Sequence, residues 1–352
     1  MDVNTTNKAP KGTIAIEEAV LNPSGIAWMA ETATLFNPSS SSTSSGNPLQ
    51  HLHGHTTHLL DIHDTRLAQM DAHGVEYMLL SLTSPGPQGQ SSPLAAEQLA
   101  REANDWLARE VSKNPTRFGA LASVSMHDAE EAAGEVRRAV RELGMYGVII
   151  NDYQEVEAGG EGDRGKKVQA VWKGVEDLGV PVYMHPRYPP NKELGQGTGT
   201  AERKHLLGAA VQFHLDLSKH LYAICSSGVF DEFPGVQVVV GHLGEGIPFN
   251  LWRADHWYNK PVKKASRPSK HDYGYYFKHN ISITTSGFFS TPGLKFCIDQ
   301  IGVKRCLFSI DYPYDTIEEA QTWWKGVDLP DKEKEMVARE NAIRLFKLPL
   351  EL

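Results

Sequence analysis

The sequence predicts an α/β fold, a single (β/α)8 TIM barrel with long loop insertions over its C-terminal mouth. Three observations predict it. Eight short β-branched or apolar runs recur along the 352 residues, with segments of helical period between them. These runs are almost continuously apolar, as suits parallel strands buried on both faces. Polar and ionisable residues gather at the end of most runs, the edge where such a barrel builds its site.

Residues 13–17, 77–82, 118–124 and 147–151 read as the first four strands, and 181–185, 236–241, 281–285 and 306–311 as the last four. Between them, residues 64–73 lead into Gly74, a helix C-cap signal. Residues 95–113 and 128–143 carry helix formers with apolar spacing of three and four, and the second segment ends at Gly144. Residues 168–178 end at Gly179, and 318–327 and 331–345 close the chain as helices. Alternating strands and helices define the barrel class. A doubly wound open sheet is the alternative, and the lack of a Gly-rich phosphate fingerprint after the first strand counts against it.

Residues 1–10 are expected to be a disordered N-terminus, and 11–352 one barrel domain. Two segments break its rhythm, loops at about 21–60 and 186–203. The first contains the Ser-rich tract 38–46, and both follow strands, so both are placed over the mouth. No internal repeat is present.

Charge and composition exclude some functions. A net charge of −8 argues against a nucleic-acid binder. The basic run 260–270 contains Pro261 and Pro268 and reads as a solvated loop. The N-terminus lacks the apolar core of a secretory signal, and no stretch of about 18 apolar residues is present to span a membrane. Cys225, Cys297 and Cys306 lack metal-finger spacing and read as buried free thiols, consistent with the reducing cytoplasm.

The chemistry sits at strand ends. The first strand ends in Glu17-Glu18, the fourth in Asn151-Asp152, the fifth in His185 and the eighth in Asp311, while His242 and Glu245 follow the sixth. Glu17, His185 and Asp311 can converge on one divalent cation, a mixed oxygen and nitrogen set with positions open for water and substrate. A lone histidine before proline is more often a hydrogen-bonded core residue, and a lone aspartate after a strand is often a helix N-cap. Three such residues at three strand ends favour the metal. The histidine-rich run 51–58 follows the Ser-rich loop with no strand before it. It reads as loop or helix-start surface, part of which could cap the site. His242 and Glu245 are expected to point toward the mouth. Arg253 lies eight residues after Glu245, about two helical turns on, hence on a similar face. A buried arginine there suits a substrate carboxylate, and a surface ion pair with Asp255 or Glu245 is the equal alternative.

Several stretches together resemble a known family. They are Ile14-Ala15-Ile16-Glu17-Glu18-Ala19, residues 61–74, Ser84-Pro85-Gly86-Pro87-Gln88-Gly89, Tyr183-Met184-His185-Pro186-Arg187, residues 241–256, residues 284–291 and residues 307–313. From about residue 11 to 348 the chain resembles the amidohydrolase-superfamily decarboxylases that act non-oxidatively on hydroxybenzoic acids. Their branches include γ-resorcylate, 2,3-dihydroxybenzoate and salicylate decarboxylases. The resemblance implies one divalent metal ion held by Glu17, His185 and Asp311, and no organic cofactor. Many members carry histidine two positions after the first glutamate. Ala19 stands there, as in the dihydroxybenzoate and salicylate branches, and the oxygen-rich site left behind favours Mg²⁺ or Mn²⁺, with Zn²⁺ possible. Residues 61–74 and 241–248 are closer to the γ-resorcylate branch.

The implied reaction converts an ortho-hydroxybenzoic acid to the phenol and CO2, reversibly at high bicarbonate. Asp311 is the expected acid, with His242 and Glu245 orienting and supplying protons. By resemblance Arg253 contacts the substrate and Tyr314 lines the ring pocket. The partners expected are a small aromatic acid and further copies in a homodimer or homotetramer. A metal-dependent hydrolase of a lactone or related ester is the competing reading on the same barrel.

Overall fold

The structure, a computed structural model, describes residues 11–26, 55–152, 161–188 and 206–352. Nine strand segments follow in chain order. They are β1 (Thr13–Val20), β2 (Val75–Leu82), β3 (Phe118–Ala120), β4 (Ala122–Ser123), β5 (Val148–Asn151), β6 (Val182–His185), β7 (Val238–Val240), β8 (Ile281–Thr284) and β9 (Cys306–Leu307). Every ladder is parallel, in the orders β1-β2-β3 and β4-β5-β6-β7-β8-β9.

All eight expected strands are present, with one of them split. The third breaks at Leu121 because the chain changes partner there. The Leu121 N–H still donates to Leu80 of β2, while that of Ala122 donates to Gly147 before β5. Among the described residues no ladder joins β9 to β1; the Ala19 N–H donates to the Tyr312 carbonyl at 2.8 Å just beyond β9, and side chains add to the bridge across that seam. Ser309 Oγ accepts from the N–H groups of Ile16 (3.1 Å) and Glu17 (2.8 Å).

Strand alternation divides the core in two. Ile14, Ile16, Tyr77, Leu79, Ile149, Tyr183, Val239 and Leu307 fill the barrel, where Ile343, Phe346 and Leu348 join them. Ala15, Met78, Leu80, Val148, Ile150, Val182 and Val240 pack in the layer between barrel and helices. Burial on both faces is why the strand sequences are apolar throughout.

The helices follow the expected order. α1 (Thr65–His73) ends at Gly74, whose φ of 83° lets its N–H reach Met70. α2 (Pro93–Lys113) is capped by Ser92, and α3 (Ala129–Arg141) by Asp128. α3 stops before Gly144, which still adopts a left-handed φ of 69°. α4 (Glu161–Leu178) starts earlier than expected. Then come α5 (Gln212–Ser226), α6 (Ile247–Tyr258), α7 (Tyr273–His279), α8 (Thr291–Ile301) and α9 (Ile317–Gly326).

The expected final helix is interrupted. α10 (Asp331–Glu335) and α11 (Asn341–Phe346) flank a π-helical turn at Met336–Glu340. Within that turn the Val337 carbonyl accepts from the N–H of Phe308, just past β9. The basic run is exposed but partly helical, over Pro261–Ser266. The three cysteines are buried and unpaired. Among the described residues, no helix is long and apolar enough to cross a membrane. The N-terminal ten residues, the Ser-rich tract and most of the two long loops lie outside the described residues.

Candidate active site

The site begins with an irregularity in β1. Ala15 pairs with Met78 and Glu18 with Leu80, so three steps along β1 match two along β2. This β-bulge turns Glu17 to the barrel interior behind Ile16 and directs Glu18 to the seam beside β9. Bulges re-aim side chains in this way next to active sites.

Glu17, His185 and Asp311 each present a ligand atom, and these atoms lie within 4.8 Å of one another. His185 Nε2 is 3.3 Å from Glu17 Oε1. Its Nδ1 donates to the Pro186 carbonyl at 2.6 Å, which leaves the Nε2 lone pair free to ligate. Glu17 Oε2 accepts from the Tyr183 hydroxyl and, at 3.4 Å, from that of Thr284. Glu17 Oε1 is buried with no hydrogen-bond partner. A buried carboxylate oxygen without a donor is costly, and a cation between these groups resolves it. Two carboxylates and one imidazole therefore fit a divalent metal. The space is also guarded. A Cβ at Gly241 would come within 2.6 Å of Glu17 Oε2.

His242 links the cluster to a further carboxylate. Its Nε2 lies 3.8 Å from Glu17 Oε1 and 3.8 Å from Asp311 Oδ2, and its Nδ1 is 2.7 Å from Glu245 Oε1. Burial opposes charge on this ring, but the carboxylates of Glu245, Glu17 and Asp311 outweigh it and hold its pKa well above the usual value. For Asp311, burial raises the carboxyl to about 6. The nearby His242 limits the rise, and the Glu17 charge adds to it. The backbone here is strained. Asp311 (φ 83°), His242 (53°), Leu243 (52°) and Glu245 (56°) are all left-handed without being glycine.

These groups line a cavity of about 190 Å³, walled by Ser81, Thr83, Ile149, Phe213 and Tyr314. Larger hollows of about 400 and 840 Å³ open at the other end of the barrel, away from every residue of the cluster. We assign the site to the smaller cavity because there a three-residue set of metal-ligand atoms, the unsatisfied Glu17 oxygen and the raised Asp311 carboxyl coincide.

The structure thus brings Glu17, His185, His242, Asp311 and Tyr314 to one cavity, with Glu245 behind His242. Arg253 is the exception. It is exposed on α6 and does not line the cavity of its own chain. The two-turn spacing assumed one helix from Glu245 onward. Instead the chain kinks through left-handed Leu243, Gly244, Glu245 and Gly246 before α6 begins, which breaks the helical phase. Residues 55–60 form a helix at the mouth, with the His55 ring 5.5 Å from Tyr314 and His58 Nδ1 3.2 Å from the Tyr312 hydroxyl. Residues 51–54 of that run lie outside the described residues. Sequence reasoning missed Tyr183 and Thr284. The signal for Tyr183 was parity, because it stands two residues before His185 and so shares its face of β6.

Fold and site together define a metal-dependent barrel enzyme with its acids at the strand ends. The amidohydrolase family model matches residues 51–348. The chain is 39% identical over 298 residues to γ-resorcylate decarboxylase of Rhizobium sp. (strain MTP-10005), covering 82% of this chain and 88% of that protein. It is 38% identical over 293 residues to γ-resorcylate decarboxylase of Polaromonas sp. (strain JS666), covering 82% and 89%. The solved structure of 2,6-dihydroxybenzoate decarboxylase from Rhizobium superposes with a TM-score of 0.82 at 34% identity, covering 96% of this chain and 99% of that one. That of the Polaromonas sp. JS666 dihydroxybenzoic acid decarboxylase, with bound manganese and the inhibitor 2-nitroresorcinol, gives 0.85 at 32% identity, covering 97% and 98%. The chain belongs to the amidohydrolase family, in its branch of non-oxidative hydroxybenzoate decarboxylases.

Proposed function

We propose that this enzyme decarboxylates an ortho-hydroxybenzoic acid to the phenol and CO2, with 2,6-dihydroxybenzoate (γ-resorcylate) as its substrate. The observation that carries the reading is the convergence of Glu17, His185 and Asp311, with ligand atoms within 4.8 Å of one another, on a ring-sized cavity of about 190 Å³. The names of the relatives at 38–39% identity support this choice of substrate. The walls of Ile149, Phe213 and Tyr314 suit one aromatic ring.

Glu17, His185 and Asp311 would hold a divalent cation, Mn²⁺ or Mg²⁺ before Zn²⁺, given the oxygen-rich donors and Ala19. When bound, that cation supplies positive charge for the anionic oxygens of the acid and its ortho hydroxyl. Asp311 would take up a proton from His242 once substrate is bound and deliver it to the ring carbon that bears the carboxylate. A C–H bond forms as the C–C bond to the carboxylate breaks and CO2 leaves. The ring and its phenol oxygen carry the electron pair between, so no organic cofactor is required. His242, kept protonated by Glu245, returns a proton to Asp311 across 3.8 Å. Within one chain Arg253 is exposed, so a role for it at the substrate requires an adjoining subunit of a homodimer or homotetramer. A cytoplasmic location is part of the proposal, supported by the three free thiols.

The test uses purified protein, stripped by chelator and reloaded with Mn²⁺. It is offered 2,6-dihydroxybenzoate, 2,3-dihydroxybenzoate and salicylate, and the products are separated by chromatography. Resorcinol from the first, lost on chelation and restored by Mn²⁺, is expected. A Mn²⁺-loaded protein that decarboxylates none of the three would sink the reading.

A further inference from the structure

Glu17 and Glu18 are adjacent in sequence and differ in destination. Glu18 is fully buried and faces away from the cavity, at the seam between β1 and β9. Its Oε1 accepts from Ser309 Oγ–H at 2.9 Å and from the Ile310 N–H at 3.0 Å, and its Oε2 from the Tyr312 N–H at 3.1 Å. The N–H groups of Ile310 and Tyr312, the residues before and after Asp311, are therefore both held by one carboxyl group. Asp311 itself sits at φ 83°, a conformation unfavourable for a residue with a Cβ, which persists only where its surroundings impose it.

Ser309 extends the grip. While donating to Glu18, its oxygen accepts from the Ile16 and Glu17 N–H groups. One carboxylate and one hydroxyl thus tie the backbone that carries Glu17 to the backbone that carries Asp311. Arg66, also fully buried, donates to the Ala19 carbonyl at 2.6 Å and lies over the Tyr312 ring at 4.7 Å, bracing the same seam.

We propose that Glu18 is a positioning residue. It imposes the left-handed backbone of Asp311 and so sets where the Asp311 carboxylate meets Glu17. The idea rests on the proposed function only in giving Asp311 its roles as ligand and acid.

Glu18→Gln tests it, because it keeps the side chain's size but turns one acceptor oxygen into an NH2 facing a peptide N–H. Mn²⁺ affinity by calorimetry, kcat and KM are measured in a cycle with Asp311→Asn. Glu18→Gln is expected to weaken Mn²⁺ about 10–100-fold, the range typical of groups that orient metal ligands. It should lower kcat more than it raises KM, and have no further effect on Mn²⁺ binding once Asp311 is Asn. Glu18→Asp keeps both oxygens one methylene shorter and should show a smaller loss in the same direction, which covers a Gln variant that fails to fold. Losses in Mn²⁺ affinity that add across the cycle overturn the proposal, as does wild-type kcat and affinity in a merely less stable protein. A crystal structure of either variant in which Asp311 keeps its φ and carboxylate position overturns it as well, whether or not metal binds. If the wild type binds Mn²⁺ but decarboxylates nothing, the function falls alone and the affinity cycle still decides the role of Glu18.

Discussion

At one end of the barrel Ile343, Phe346 and Leu348 close over Ile14 and Tyr77, all almost without exposure to solvent. At the other end the same strands finish in Glu17, His185 and Asp311, with left-handed backbone at Asp152, His242, Leu243, Glu245 and Asp311, against Lys347 at the first end, and with a Glu17 carboxylate oxygen lacking a donor. The floor is optimised for burial. The mouth stores strain and unbalanced charge, which the rest of the barrel must outweigh. The difference teaches that stability and chemistry separate along the barrel axis, and that substitutions at the two ends should fail in opposite ways.

The largest effect belongs to the mouth. Asp311→Asn should lower kcat by about 10²–10⁴-fold, the usual worth of a positioned acid. Its melting temperature should hold or rise, because a buried carboxylate facing Glu17 is removed. Steady-state kinetics and a thermal melt on one preparation check both halves. A large loss of stability with activity retained would break the comparison. The floor should behave in reverse. Phe346→Ala should cost about 3–5 kcal/mol, as for other buried aromatics cut to alanine. In urea the midpoint should fall, while kcat per folded molecule stays at the wild-type value. A kcat loss comparable to that of Asp311→Asn would show that the two ends are not independent.

The division itself was legible in the sequence. Runs buried on both faces are apolar throughout and stand out, and the polar residue that ends each run marks the mouth. What stayed hidden depends on tertiary events. The break at Leu121 comes from an exchange of strand partners, which no local pattern announces. The opposite destinations of Glu17 and Glu18 follow from a bulge. Arg253 was placed by helical arithmetic across a segment that is not one helix. Tyr183 passed as core because it is core, with a hydroxyl that also reaches Glu17. The helix Thr291–Ile301 carried a signal that went unread, with Ser290 as its cap and proline in its first turn.

The smallest effect sharpens the comparison through pH. Burial raises the Asp311 carboxyl from 3.8 to about 6, so between those values the folded, metal-free protein holds a proton that the unfolded chain has lost. The folded state then binds more protons, and the stability contributed by this group falls as pH rises through that window. Metal reverses the sign. A ligating carboxylate must shed its proton, so the Asp311 share of the Mn²⁺ affinity should grow about tenfold per pH unit below 6 and level off above it. Calorimetric titrations with Mn²⁺ at several pH values, paired with melts of the metal-free protein, measure both slopes. In Asp311→Asn each slope should lose the share owed to this carboxyl, whereas Phe346→Ala should lower stability by the same amount at every pH and leave both slopes in place. An affinity profile unchanged by Asp311→Asn would mean that the proton displaced by metal sits elsewhere in the mouth.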